Sequence, residues 1–138
     1  MIQSDEFPLP GLPRPEADTD SAPFWDGLAD GRLLAPRCRA CERFHFPSTP
    51  TCPHCGASAM DWRALTGTPV VYSWIIVHRA THPDIPVPYA VVLGEFPEGV
   101  RIPGNMASDD AEKLTIGAPL TAMVSTRDGV NVVAYRHA

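Results

Sequence analysis

Two CxxC pairs constrain this chain more than any other feature of its sequence. Cys38-Arg-Ala-Cys41 and Cys52-Pro-His-Cys55 use all four cysteines of the 138 residues. Two such knuckles can present four thiolates to one tetrahedral metal ion, and the ten residues between them form the loop that brings the second pair back. A glycine, Gly56, follows the second knuckle and accepts the left-handed conformation needed there, whereas the first knuckle has Glu42 in that place.

Three interpretations of these cysteines remain open from the residues alone. The first is a closed structural site in which Cys38, Cys41, Cys52 and Cys55 bind one zinc ion and leave no position for water or substrate. The second is an iron centre with the same four ligands, since tetrahedral sulfur sites suit both metals. The third is two disulfides. The N-terminus lacks the basic start and apolar run of a signal peptide, so we expect reduced thiolates, one zinc and a cytoplasmic protein.

The charge of the chain is unevenly distributed. The net charge is −5, yet residues 32–63 carry five arginines against two acids, whereas residues 64–138 carry five bases against seven acids. Ten of the eleven basic residues are arginine, which favours bidentate recognition of phosphate or carboxylate, unless it merely reflects codon preference. No run of eighteen apolar residues is present, and we expect no membrane span.

The segment before the cysteines divides into an arm and a helix. Residues 1–20 are acidic and rich in proline without an apolar period, which predicts an extended arm. Residues 21–34 predict a short amphipathic helix and a lead-in strand, because Ser21 is a cap candidate, Gly31 is a stop signal, and three apolar residues share a face: Phe24, Trp25 and Leu28. The two aromatic residues can be ordinary core or the wall of a ligand groove or partner surface.

The remainder predicts a zinc ribbon over residues 35–65 and a β-barrel over residues 66–138. Alternation and turn signals indicate strands at 70–78, 89–96, 100–102, 119–126 and 130–135. A capping box at Asp109–Glu112 predicts a short helix that Gly117 ends, and Asp128-Gly129 predicts a type I′ hairpin turn. A long bent strand, two strands, a short helix and a final hairpin give the order of the OB-fold, a five-stranded Greek-key barrel. The predicted fold class is therefore mainly β.

Most of the chain, residues 21–136, resembles the acyl-CoA-associated family of rubredoxin-like zinc-ribbon plus OB-fold proteins, domain-of-unknown-function family thirty-five. The likeness is carried by Phe24–Leu28, Gly31, Leu33, the four cysteines, Phe46-Pro47, Val71–Ser73, Pro88-Tyr89, Glu98–Arg101 and Gly104-Asn105. The resemblance implies a non-catalytic accessory subunit that binds acyl-CoA for a thiolase-like enzyme. Such enzymes are lipid-transfer-type aldolases or thiolases of acyl-CoA, lipid or steroid side-chain metabolism.

Two other function classes were weighed against this one. An autonomous enzyme needs a nucleophile or an acid/base pair, and His78 and His82 near Asp84 match no recognisable catalytic motif. A single-stranded nucleic-acid-binding protein is the alternative function, because zinc ribbons and OB-folds both serve that role. It needs a basic groove with aromatic platforms, whereas this barrel segment is acidic. We therefore expect no nucleic-acid or membrane partner.

The candidate binding residues lie on and before the ribbon. We expect the phosphates of CoA to contact arginines that flank the first knuckle or close the ribbon: Arg37, Arg39, Arg43 and Arg63. We expect the acyl group or the partner enzyme to contact apolar residues: Phe24, Trp25, Leu28 and Tyr89. The alternative for the arginines is that they solvate the ribbon and pair with acids.

Overall fold

Two helices and eight strands are found within the described residues, which in this computed structural model are the backbone of residues 3–5 and all of residues 15–138. In chain order they are β1 (Gln3–Asp5), α1 (Ala22–Ala29), β2 (Leu34–Cys38), β3 (Met60–Ala64), β4 (Val70–Val77), β5 (Tyr89–Glu95), β6 (Arg101–Met106), α2 (Ser108–Ala111), β7 (Leu120–Arg127) and β8 (Val130–His137). The fold is mainly β, as the sequence predicts.

Helix α1 begins and ends where the sequence indicates. Ser21 occupies the cap position, although its hydroxyl accepts from the backbone N–H of Asp18 and does not cap the helix itself. At the other end Gly31 has φ +73°, and the N–H of Arg32 donates to the carbonyl of Gly27, which is the Schellman arrangement. The helix is also attached to the barrel, because the Asn131 side-chain amide donates to the Leu28 carbonyl at 2.9 Å.

The ribbon is a two-stranded antiparallel sheet with the cysteines at one end. β2 pairs with β3 in register from Leu34 opposite Ala64 to Cys38 opposite Met60. The first cysteine therefore ends a strand, while the second pair lies in the loop that precedes β3. A two-stranded sheet of five residue pairs is only marginally stable by itself.

The barrel has the strand order of an OB-fold. Its sheet runs β1-β7-β8-β6-β5-β4, with β6 and β8 parallel and the hairpins β4–β5, β5–β6 and β7–β8 antiparallel. The barrel closes where the N–H of Val71 donates to the carbonyl of Ala118 and the N–H of Leu120 donates to the carbonyl of Pro69, both within 2.9 Å. Asp128 and Gly129 both have positive φ, which confirms the predicted hairpin turn.

Tyr135 fills the centre of the barrel. Its side chain is 1% exposed, and its hydroxyl donates to the carbonyl of Ile102 at 2.8 Å. A Cβ atom on Gly94 or Gly104 would lie 2.7 or 2.8 Å from the tyrosine side chain. These two glycines of β5 and β6 therefore leave the space that the ring occupies.

Two details differ from the sequence expectations, and a third prediction lies largely outside the described residues. The Asp109 capping box is wrong, because Ala107, two residues earlier, takes the cap position without a side-chain cap. Helix α2 spans only Ser108–Ala111, so Gly117 does not end it. β6 continues through Pro103 to Met106, and β8 continues to His137. The arm predicted over residues 1–20 lies largely outside the described residues. Of it, Gln3–Asp5 pair in parallel with β7. Neither described helix is long and apolar enough to cross a membrane.

Candidate metal centre and aromatic groove

The four cysteine sulfurs converge on one point of the ribbon. Their Sγ atoms all lie within 4.8 Å of one another, with Cys38 and Cys55 at 3.6 Å and Cys41 and Cys52 at 3.7 Å. A tetrahedral ion with sulfur ligands at about 2.3 Å separates them by roughly 3.8 Å, whereas a disulfide bond is only about 2.05 Å long. The geometry fits a metal ion and contradicts the disulfide interpretation, and all four cysteines are free thiols.

The electrostatics of the knuckles also suits a cation. The backbone N–H groups of Cys41 and then Ala40 lower the pKa of the Cys38 thiol to about 7, against the effect of burial. The Ala57 N–H lowers the pKa of Cys55, but the sulfur of Cys38 and burial outweigh it and raise that pKa to about 11. Repulsion between the closely spaced sulfurs thus disfavours several thiolates at once. A bound dication would offset this repulsion.

The candidate CoA arginines stand around this centre, and three of them contact acids of the ribbon itself. Arg39 and Arg63 share Asp61, at 2.8 and 3.7 Å, and the hydrogen bond from Arg39 holds the pKa of that carboxyl below its ordinary value. Arg37 lies 3.5 Å from Glu42. Arg43 is exposed and forms no ion pair within residues 15–138. These pairs orient the arginines while leaving the ribbon with excess positive charge.

A groove of about 370 Å³ lies between α1, the ribbon loop and the barrel. Phe24 packs edge-on against Trp25 with ring centroids 5.0 Å apart, and against Phe46 at 5.3 Å. These three rings and Tyr89 of β5 line the groove together with barrel residues, including Ile102 and Val133. Three of the four apolar candidates of the sequence therefore meet at one site. The fourth, Leu28, is fully buried in the core.

Two polar residues of the groove were not singled out as site residues by sequence reasoning. Arg127 ends β7, and its guanidinium donates to the side-chain oxygen of Asn105 in β6. The two are 22 residues apart in the sequence and meet only because β7 and β6 both flank β8. The sequence signal that could have indicated this site is Arg127 itself, an arginine at the end of an apolar strand in an otherwise acidic segment.

The histidines of the proline loop are placed on the surface. His82 Nδ1 lies 3.5 Å from a carboxylate oxygen of Asp84, and both side chains are more than half exposed. The loop Arg79–Pro88 carries them away from the groove lining and from the sulfur cluster. The His82–Asp84 pair is therefore open to solvent and does not lie in an enclosed site. The four thiols are all in the sulfur cluster.

Two family models match consecutive parts of the chain. Residues 25–61 match the rubredoxin-like zinc ribbon domain of ChsH2, and residues 62–125 match the C-terminal OB-fold domain of ChsH2. The two matches together cover α1 from Trp25 onward, the ribbon and the barrel as far as Ser125 in β7.

Curated relatives and a solved structure share this arrangement. A probable enoyl-CoA hydratase alpha subunit of Thermomonospora curvata is 36% identical over 118 residues, and the 3-oxo-4,17-pregnadiene-20-carboxyl-CoA hydratase alpha subunit of Mycobacterium tuberculosis is 28% identical over 118 residues. Each alignment covers 86% of this chain but only 37% or 38% of the relative, so the chain spans little more than a third of either protein.

The solved structure is similar over its whole length. A chain of the Ltp2-ChsH2(DUF35) aldolase superposes with a TM-score of 0.80 and 34% identity, and the match covers 90% of this chain and 98% of that one. Agreement therefore extends from sequence models to the three-dimensional arrangement of helix, ribbon and barrel. This chain belongs to the DUF35 family, with the rubredoxin-like zinc ribbon and C-terminal OB-fold domain of ChsH2.

Proposed function

We propose that this chain is a non-catalytic, acyl-CoA-binding accessory subunit of a thiolase-like enzyme. The enzyme would be an aldolase or thiolase of acyl-CoA, lipid or steroid side-chain metabolism. The observation that carries the proposal is the similarity to nearly the full length of a chain from an aldolase assembly. Each of the two hydratase relatives is named after a CoA thioester. These names support the proposal that this chain binds acyl-CoA.

The arrangement of reactive groups supports a non-catalytic role. The four thiols are engaged with one another in the ribbon, and the His82–Asp84 pair is open to solvent. A general base works when it is positioned against a bound substrate in a site that limits water. The partner enzyme would therefore supply the reacting groups, while this chain would supply binding and support.

Zinc in the sulfur cluster would have a structural part in this function. The ligands Cys38, Cys41, Cys52 and Cys55 fill a tetrahedron, so no position remains for a substrate or water. A metal held in this way fixes the loop between the cysteines, and with it Phe46 at the groove and the arginines of the first knuckle.

The CoA moiety would lie along the ribbon, with its phosphates on Arg37, Arg39, Arg43 and Arg63. Asp61 holds two of these guanidinium groups in place, which reduces the entropy lost when a phosphate binds. Arg43 has no acidic partner within residues 15–138 and is the most available donor. The acyl group or a partner side chain would then reach the aromatic residues Phe24, Trp25 and Tyr89.

A surface for the partner enzyme is available on the barrel and the proline loop. Ile75 of β4 is 60% exposed and Val87 of the loop is 39% exposed, although both are apolar. Exposed apolar residues of this kind are candidate contacts for a partner protein. Prolines in the loop lower its freedom before docking, so less entropy is lost in the complex.

Co-expression with the thiolase-like proteins of the host tests the proposal. We expect size-exclusion chromatography to give a mixed complex, and we expect Trp25→Ala to weaken it by about 2 kcal/mol or more, as for an interface anchor. Trp62→Ala, a ribbon tryptophan outside the groove lining, is the matched control and should leave the complex intact. A chain that elutes alone beside every such protein, and does not change their activity, would refute the proposal.

A further inference from the structure

Among residues 15–138, Arg127 is the only charged residue that lines the aromatic groove. It stands at the end of β7, and the remaining lining is aromatic, aliphatic or a neutral amide. A cation in such a place loses part of its hydration and gains little from its apolar neighbours. The groove therefore combines a large apolar wall with one fixed positive charge.

The guanidinium has no carboxylate to balance it. Within residues 15–138 Arg127 forms no ion pair, whereas Arg37, Arg39 and Arg101 each contact an acid. Its hydrogen-bond partner is the neutral side-chain oxygen of Asn105. Burial lowers the pKa of Arg127, which the nearby Tyr89 partly opposes. Arginine has five N–H donors, so most of them are left for another acceptor.

Asn105 gives this cation a defined orientation. Its side-chain nitrogen donates to the backbone carbonyl of Ala90 at 3.3 Å, so its oxygen is turned toward Arg127. The amide is thus anchored to β5 on one side and holds the guanidinium on the other. A group held in this way is suited to a planar acceptor that takes two parallel N–H donors.

We propose that the groove is a binding site for a carboxylic acid with an apolar body. The carboxylate would accept from Arg127, and the apolar body would pack against Phe24, Trp25 and Phe46. One cation matches a single negative charge, whereas a phosphate dianion would need further charged donors, and residues 15–138 place none in the lining. The volume of about 370 Å³ lies in the range of small-molecule sites. This inference goes beyond the proposed function because it needs neither CoA nor the partner enzyme.

Calorimetry of this chain with octanoate as the probe tests the site. We expect octanoate to bind, and we expect octanamide, which has the same apolar body without the charge, to bind about tenfold or more weaker. Arg127→Gln should weaken octanoate by a similar factor and abolish the preference over octanamide. Arg101→Gln, on an arginine that already pairs with Glu95, is the matched control and should change neither ligand.

A second measurement keeps the test valid if Arg127→Gln is poorly folded. In the wild type, octanoate should shift the indole N–H resonance of Trp25 and leave that of Trp62, outside the lining, unchanged. Octanoate that fails to bind, that binds no better than octanamide, or that binds a well-folded Arg127→Gln variant equally, overturns the inference. Arg43→Ala distinguishes this site from the proposed CoA site. It should weaken the binding of CoA and leave the binding of octanoate unchanged.

Discussion

Glu42 has a backbone conformation that suits its side chain poorly. It lies in the first knuckle at φ +64°, where Gly56 stands at φ +81° in the second knuckle. In both knuckles the N–H of this residue donates to the carbonyl of the first cysteine at 2.9 Å. The left-handed conformation costs a residue with a Cβ atom about 1–2 kcal/mol, and the side chain gains only a 3.5 Å surface contact with Arg37.

We therefore expect Glu42→Gly to stabilise the ribbon by about 0.5–1 kcal/mol. The relief of strain exceeds the extra backbone entropy that glycine gains in the unfolded chain. Urea denaturation of the metal-loaded protein measures the change. Ala40→Gly, in the same knuckle but without a positive φ, is the matched control and should destabilise. A lower midpoint for Glu42→Gly would show that the contact with Arg37 outweighs the strain.

Arg43 and Arg39 allow a test of CoA binding at single side chains. If they hold phosphates, Arg43→Ala and Arg39→Ala should each weaken CoA by about 1.5–3 kcal/mol, as expected for a charge-assisted hydrogen bond. Arg39→Ala also leaves Asp61 with Arg63 alone, at 3.7 Å, so we expect the larger loss there, since the less neutralised acid would repel the phosphate. Calorimetry with CoA measures both, in the presence of the partner enzyme if needed. Arg101→Ala, on the barrel, is the control, and unchanged affinity in both variants would place CoA on another face.

At the scale of elements, the ribbon combines a small sheet and packing against the core with the sulfur cluster. Its sheet has five residue pairs, and the residues that join it to the core are Leu33, Ala35 and Leu65, with the partly buried Phe44, Phe46 and Trp62. Metal binding free energy is folding free energy in such a small unit. We expect about one zinc and little iron per chain after purification without added metal, and we expect chelation to unfold the ribbon while the barrel persists.

Metal analysis and circular dichroism check this prediction. Cys52→Ser removes one ligand and should lower zinc content strongly, whereas Ser48→Ala in the same loop should not. A red protein with iron absorption would contradict the zinc assignment and would revive an electron-transfer role. The sulfur separations alone suit both metals, so this measurement distinguishes them.

The sequence predicted elements whose signals are local and failed where contacts are distant. The cysteine spacing, the β-branched and aromatic run Val70–Val77 and the Asp128-Gly129 turn are each local signals, and each was confirmed. The cap of α2 was missed because the cap residue is Ala107, whose side chain cannot accept a hydrogen bond. A search for capping side chains therefore does not find it. Arg127 and Asn105 meet through strand order, which no local pattern reveals.

At the scale of the whole molecule, the distribution of charge separates binding of one small ligand from binding of a polyanion. The ribbon segment 32–63 has a net charge of +3, but residues 64–138 have −2 and the whole chain has −5. The described part of the chain gives the groove several aromatic rings yet a single cation, Arg127. A single-stranded nucleic acid needs a positive track along several phosphates as well as stacking platforms. The groove therefore has aromatic rings on which bases could stack, but residues 15–138 do not provide a positive track for the phosphates beside them.

We accordingly expect no tight binding of single-stranded DNA or RNA. Fluorescence anisotropy at low ionic strength, where phosphate contacts are strongest, should give a dissociation constant weaker than about 1 μM. Any weak binding should disappear at physiological salt, since the ribbon can neutralise only a few phosphates. At low salt, Arg43→Ala should weaken it further. A submicromolar complex that survives salt would mean that the aromatic residues of the groove stack bases, and the OB barrel would then be a nucleic-acid module.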